Sequence, residues 1–394
     1  MNIVDKAAMT EIPYGKHNIT DEDILAVTNV LRSDNLTQGA VINEFEQAFA
    51  DYVGSRYAVA VSNGTTALHL CAVVLGVKPG DNVLTTPITF VASANCVRYC
   101  GGEVTFVDIR FDNFLIDIEK LRLLLEAAPN GTFKGIIPVD FAGLAVNLED
   151  LRALADEFGL WIIEDACHAP GGYFIDSKNN KQYCGNGVFA ELAIFSFHPV
   201  KHIACGEGGM ITTNDRSLYE KLLLLRTHGI TKDPLKLLKN DGNWYYEMQE
   251  LGYNYRITDF QAALGKSQLG RAEYGLERRR EIASKYNEAF SNFPLILNHS
   301  GLIDGHAYHL YIIQVKDRKG LYDYLRESHI LCQVHYIPVH LQPYYANLGW
   351  KLGDLPVAES YYEKCLSLPM FPTLRDDQVE FVINKITDFF SEHV

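Results

Sequence analysis

From Tyr57 onward the chain repeats one unit: a short apolar run of strand length, a break, then a stretch with helical spacing. Residues 57–62, 82–85, 103–108, 135–139 and 160–163 read as strands, with helices at 67–75 and 91–99 between the first of them. Strands separated by helices cannot pair through tight hairpins. The pattern therefore predicts an α/β fold: a mostly parallel sheet wound by right-handed crossovers and wrapped by helices. In such a sheet ligands sit beyond the C-terminal strand ends. Gly64 with Thr65, Phe90, Asp165 with His168, Ser196 and Lys201 all fall just past a strand end, on one edge of one sheet.

The stretch 193–210, AIFSFHPVKHIACGEGGM, carries the last two of these. Its apolar run reads as a buried strand that stops by Pro199, which has no amide to donate to a ladder. Lys201 follows, then the Gly206–Gly209 turn and a further strand at 210–213. Alone, Lys201 is as well explained as a solvated surface lysine. At 63–66, Asn-Gly-Thr-Thr between a strand and a helix offers free amides, hydroxyls and the positive end of a helix dipole, which suit a phosphate. The two threonines could equally do no more than cap the helix. Asp165 at the mouth of an apolar strand is costly to desolvate unless it meets a cation or a strong donor, although an aspartate there also serves as an N-cap. Metal binding by Cys167 and His168, or by His198 and His202, finds no third ligand, and no metal is expected.

A phosphate cradle, an aromatic at Phe90, a buried carboxylate and one lysine match pyridoxal 5′-phosphate (PLP) better than other common cofactors. The chain also resembles the sugar-nucleotide aminotransferases of the DegT/StrS group over about residues 12–374. The resemblance is carried by SNGTTAL (62–68), TPITFVASAN (86–95), EDACHA (164–169), FSFHPVKHIACGEGG (195–209), LGYNYRITDFQAALG (251–265) and SLPMFP (367–372). It implies PLP fold type I. It implies Lys201 as the lysine that bonds the cofactor aldehyde and shuttles the proton, and Asp165 as partner of the pyridinium nitrogen. His168 would lie beside the phenolic oxygen, Phe90 on the ring, and Gly64, Thr65 and Ser196 on the phosphate. Asn254 would reach that phosphate from the second subunit of a homodimer.

Within the group, residues 35–39, 244–259 and 333–345 are most similar to the branch that aminates C4 of a UDP-4-keto sugar from L-glutamate in pseudaminic acid biosynthesis. Tyr336 and His340 are candidate sugar or donor contacts by resemblance, and Arg256 is a candidate for holding the donor's carboxylate. The alternatives are another sugar-nucleotide aminotransferase, of the GDP-perosamine or UDP-4-amino-arabinose type, a PLP-dependent sugar dehydratase, or a non-enzymatic PLP-binding regulator. A dehydratase relative places histidine where this chain has Lys201.

Before the repeating units, residues 20–31 read as a helix opened by Thr20 and Asp23, and a second helix with Ile42, Phe45, Phe49 and Tyr52 on one face ends at Gly54. After Gly265 the pattern turns to long helices over 268–290 and then short strands at 308–315 and 332–336. This predicts a large PLP-binding domain over 12–255 and a smaller C-terminal α+β domain over 256–394, with residues 1–11 as an extension. Lys+Arg 35 against Asp+Glu 49 gives a formal charge of −14, which disfavours nucleic acid and anionic membrane as partners. Eight scattered cysteines with no C-x-x-C pair suggest neither a disulfide framework nor a zinc knuckle, so a cytoplasmic protein is expected.

Overall fold

The computed structural model describes residues 11–291, 293 and 302–393. All but the last residue of the expected 1–11 extension lies outside them. Seven strands form the central sheet: β1 (Tyr57–Val61), β2 (Asn82–Thr85), β3 (Glu103–Phe106), β4 (Phe133–Ile137), β5 (Trp161–Asp165), β6 (Leu192–Ser196) and β7 (Gly209–Thr213). Their order is β1-β7-β6-β5-β4-β2-β3. The pairs from β6 across to β3 are parallel, as the alternation predicts. Strand β7 runs antiparallel to both β1 and β6. The reason is its connection: the chain returns from β6 through 197–208 with no crossover helix, and a strand that comes straight back must reverse. Val59, Leu84, Ile136, Ile163, Ile194 and Ile211 are completely buried, as expected of strands covered on both faces.

Three features of the first half position the edge of this sheet. Helix α1 (Asp21–Leu31) starts at a Thr20–Asp23 capping box, and the fully buried Asp23 pairs with Arg271. Helix α2 (Ala40–Val53) ends at Gly54, whose φ of 81° is left-handed. Its Phe49 packs edge-on against Phe195 at 4.8 Å, and Phe45 sits 5.3 Å from Phe197. Fully burying such a ring contributes about 1.5–3 kcal/mol, so α2 fixes the chain on both sides of Ser196. Helix α3 (Gly64–Val74) begins three residues earlier than its apolar pattern suggests, because Asn63 is the N-cap: its Oδ1 accepts the Thr66 amide at 2.9 Å. Helix α4 (Ala92–Tyr99) follows β2.

In the stretch 268–290, where long helices are expected, α5 (Asp259–Leu269) ends and α6 (Ala272–Phe290) runs, the two separated at Gly270 and Arg271. The α5 turns, which the expected boundary gives to the second domain, pack on α1 and α2. A second apolar cluster unites Ile12, the α6 face and residues from Tyr308 to Phe389 around the antiparallel pair Tyr311–Gln314 and Cys365–Leu368. The expected strand at 332–336 is instead Ile330–Leu331, paired with Ile12–Pro13. Arg279 of α6, only 1% exposed, donates through Nη1 to the carbonyls of Met370 at 2.9 Å, Tyr308 at 3.2 Å and His309 at 3.3 Å. The adjoining amides of Ala307 and Leu310 bond to Gly143 and Ala142, so this segment is sewn to the sheet side as well.

Candidate active site

The C-terminal strand ends open onto a cavity of about 650 Å³. Gly64, Thr65, Phe90, Asp165, His168, Ser196, Lys201 and Tyr336 all line it.

At one end, β1 runs into the first turn of α3. Thr66 is used by the cap, since its hydroxyl accepts the Asn63 amide at 3.1 Å and its own amide is satisfied by Asn63. The first-turn amides of Gly64 and Thr65 precede any intrahelical acceptor and open toward the cavity with the positive end of the dipole. A Cβ on Gly64 would lie 3.0 Å from Ser196 Cβ and 3.3 Å from its Oγ. Only glycine leaves the gap between α3 and the end of β6 open, and a gap walled by amides and a serine hydroxyl fits a phosphate.

Asp165 closes β5, held by its amide to Pro138 and its carbonyl to the Asp140 amide. Its side chain is 5% exposed, with Oδ2 2.7 Å from Ser93 Oγ and Oδ1 accepting the Cys167 amide at 3.2 Å. A buried carboxylate so supported can face a protonated ring nitrogen. Lys201 follows β6 on the turn in which its amide bonds to His198. Burial pushes its amine below the ordinary lysine value of 10.5, opposed by Cys167 and Asp165 and aided by Arg279. An amine shifted that way holds more of the free base that can attack an aldehyde.

His168 is buried beneath the cavity. Its Nδ1 accepts the Ala142 amide at 3.3 Å, and desolvation together with Lys201 pushes its pKa well down. The ring is therefore neutral with its proton on Nε2, which lies 3.1 Å from the Tyr336 hydroxyl. Phe90 stands at the mouth, 58% exposed, with its ring 6.5 Å from that of Tyr336. The donor set, the carboxylate, the lysine and the exposed aromatic thus fit PLP.

Three candidates lie elsewhere. Asn254 is exposed on a segment bridged to Thr227. Arg256 lines a separate hollow with Arg226 and Gln38. His340 has no exposure at all: its Nε2 is 3.0 Å from Glu359 Oε1, and its ring packs near Phe106 and Trp350. In this chain His340 is a core residue, which a motif cannot distinguish from a site residue. Sequence reasoning missed Ser93, one helical turn beyond Phe90 and findable by that spacing. It also missed His309, whose ring lies tilted 4.3 Å from that of His168 and whose carbonyl is held by the remote Arg279. His202 Nε2 lies 2.9 Å from the Ala307 carbonyl. Among the described residues the one group of three potential metal ligands is Asp140, Glu164 and Cys184, all buried. Burial pushes both carboxyls up toward the protonated form, reinforced at Glu164 by the charge of Asp140 and at Asp140 by that of Asp165, and desolvation does the same to the thiol.

Comparison with known proteins gives a match to the family described as DegT/DnrJ/EryC1/StrS aminotransferase over residues 17–387. The spore coat polysaccharide biosynthesis protein SpsC of Bacillus subtilis is 38% identical, covering 96% of each chain. The UDP-4-amino-4,6-dideoxy-N-acetyl-β-L-altrosamine transaminase of Campylobacter jejuni is 36% identical over 94% of this chain and 95% of its own. Among solved structures, Helicobacter pylori PseC, an aminotransferase of pseudaminic acid biosynthesis, superposes with a TM-score of 0.86 at 32% identity, covering 97% of this chain and all of its own. The PLP form of Spr1654 from Streptococcus pneumoniae gives 0.87 at 28% identity, covering 98% and 100%.

Proposed function

The chain belongs to the DegT/DnrJ/EryC1/StrS aminotransferase family and is a PLP-dependent sugar aminotransferase; on that premise we propose which sugar it aminates and how. The reaction is transfer of the amino group of L-glutamate to C4 of a UDP-4-keto-6-deoxy-N-acetylhexosamine. The products are UDP-4-amino-4,6-dideoxy-N-acetyl-β-L-altrosamine and 2-oxoglutarate, in pseudaminic acid biosynthesis. The single observation that carries the chemistry is the desolvated Lys201 amine in one cavity with the buried Asp165 carboxylate. For the sugar, support comes from the names of the Campylobacter relative and of the Helicobacter structure.

When bound, PLP supplies an aldehyde that takes up an amine and a pyridinium ring that accepts the electron pair left by a departing proton. The residues supply the rest. Gly64, Thr65 and Ser196 would anchor the phosphate, and Asp165 would hold the ring nitrogen protonated. Phe90 would cover the ring, and His168 with Tyr336 would border its phenolic side. Lys201 would hold the aldehyde and, when free, would remove and return the proton at the substrate carbon beside it.

The site is completed, in this reading, by a second copy of the chain, with Asn254 of the partner subunit reaching the phosphate. Support comes from what one chain leaves in water: Ile24 and Leu31 on α1, and Leu235, Leu238, Trp244 and Leu251, the last four at least 73% exposed. Arg256, too, would act across that interface. Among the described residues no helix is long and apolar enough to cross a membrane, which suits a cytoplasmic enzyme.

The higher identity of the spore coat relative, 38% against 36%, favours as a second reading a different nucleotide sugar with the same chemistry. Incubation with L-glutamate and a set of UDP-, GDP- and dTDP-4-keto-6-deoxy sugars decides between them, with product identified by mass and NMR. The proposal expects the 4-amino UDP-sugar and 2-oxoglutarate, both abolished in Lys201→Ala. Turnover by that variant sinks the lysine assignment, and a GDP- or dTDP-amino sugar as sole product sinks the substrate.

A further inference from the structure

Asp165 does not stand alone in its half of the cavity. Behind it, on the first turn of α4, Ser93 is completely buried, with its Oγ 2.7 Å from Asp165 Oδ2, 2.7 Å from Thr89 Oγ1 and 3.3 Å from the Phe90 carbonyl. A serine hydroxyl has one proton for these three contacts. An ionised carboxylate can only accept, and it is the stronger and nearer acceptor, so the proton goes to Asp165. Ser93 must then accept from Thr89, which is 3% exposed and has its own hydroxyl proton to give. The chain of donation runs Thr89 to Ser93 to Asp165.

The neighbouring carboxyls make this direction consequential. Asp140, three residues past the end of β4, and Glu164, on β5, adjoin Asp165, and each accepts one backbone amide, from Val146 and Gly185 respectively. Their other side-chain contacts are to each other and to the Cys184 thiol rather than to a hydroxyl. Asp165 receives a hydroxyl on one oxygen and the Cys167 amide on the other. Hydrogen bonds to the charged form decide where a charge settles among close acids.

We propose that Ser93, oriented by Thr89, is the positioning residue that holds Asp165 as the ionised partner of the cofactor's ring nitrogen. This rests on the reading of Asp165 given above. Ser93 touches neither cofactor nor substrate in this assignment and acts only through the carboxylate.

The test is binding of pyridoxamine 5′-phosphate to the apoenzyme by calorimetry, because that amine makes no bond to Lys201 and reports the remaining contacts. Asp165→Asn and Ser93→Ala are each expected to weaken it about tenfold, the size of a lost charge-assisted hydrogen bond. Ser93→Thr, which keeps the hydroxyl, is expected to stay within about threefold of the parent, and Thr89→Val to fall between. In the Asp165→Asn background Ser93→Ala is expected to add nothing. An equal loss in that background makes Ser93 merely structural and overturns the proposal. So does unchanged affinity in Ser93→Ala while Asp165→Asn is impaired. Unchanged affinity in Asp165→Asn removes the underlying reading of Asp165 and Ser93's role with it. Melting of each apo variant separates folding from binding.

Discussion

His168 gives its single ring proton to Tyr336: the Ala142 amide occupies Nδ1 at 3.3 Å, and Nε2 lies 3.1 Å from the tyrosine hydroxyl. The tyrosine's own proton is thereby left for the cavity. Tyr336→Phe strands a ring N–H, and an unsatisfied buried donor costs about 1–3 kcal/mol, so a lower melting temperature is expected. Nitrogen-15 NMR of the His168 ring should show the proton on Nε2 in both proteins. A proton on Nδ1 in the parent refutes the assignment.

Lys201 reacts with an aldehyde only as the free amine. With its pKa lowered by burial, the rate at which apoenzyme captures PLP should rise with pH and level off below the ordinary lysine value of 10.5. Stopped-flow absorbance across the alkaline range measures the plateau. A rate still climbing at that value shows that the amine is not desolvated.

Asp140 and Glu164 provide a dependence of opposite origin. In the folded protein burial raises Asp140 from its usual 3.8 to about 6, with Glu164 raised beside it. The folded state therefore binds protons that the unfolded chain has released, and stability is lost as pH rises from 3.8 through about 6. Asp140→Asn keeps an oxygen for the Val146 amide and cannot ionise. Its melting temperature is expected to fall less between pH 5 and 8 than the parent's, by thermal denaturation at about unit pH steps. An identical pH profile contradicts the paired-proton picture.

Two glycines separate stability from binding. Gly143 has φ +102°, and a Cβ there would sit 2.9 Å from the Tyr308 amide nitrogen and 3.0 Å from the His168 carbonyl. Both are backbone atoms that cannot swing aside. Gly143→Ala is expected to cost about 2–4 kcal/mol by denaturant unfolding. At Gly64 the obstacle is the Ser196 side chain and φ lies outside the left-handed region. Gly64→Ala should leave unfolding within about 1 kcal/mol of the parent and weaken PLP binding roughly tenfold.

How far the sequence discloses this molecule depends on the range of the interactions involved. The parallel sheet and the residues at its edge are legible because each βα unit writes its own strand, break and helix, and Gly64, Phe90, Asp165 and Lys201 sit at fixed short offsets from them. The reversal of β7 is legible only in hindsight, from the missing crossover between Ser196 and Gly209. Helix boundaries at Gly64 and Gly270 shift because a cap or a two-residue break leaves no mark on apolar periodicity. His340 misleads, since a buried histidine bonded to Glu359 has the same letters around it as one facing a ligand. His309 is invisible: it is placed by Arg279 and by amides reaching Ala142 and Gly143, contacts between distant parts of the chain.

The antiparallel return of β7 also bears on how Lys201 does its work. Ser196, the last residue of β6, and Gly209, the first of β7, are register partners, so both feet of the loop that carries the lysine stand on neighbouring strands. Such a loop is a short bridge with fixed abutments, and its main chain has little freedom to wander during a reaction. What can travel is the four-carbon arm of the lysine itself. A group that must first hold the cofactor, then release it, then carry a proton to one carbon and back is thereby given a reach set by its own length, and a pivot that stays where it was built.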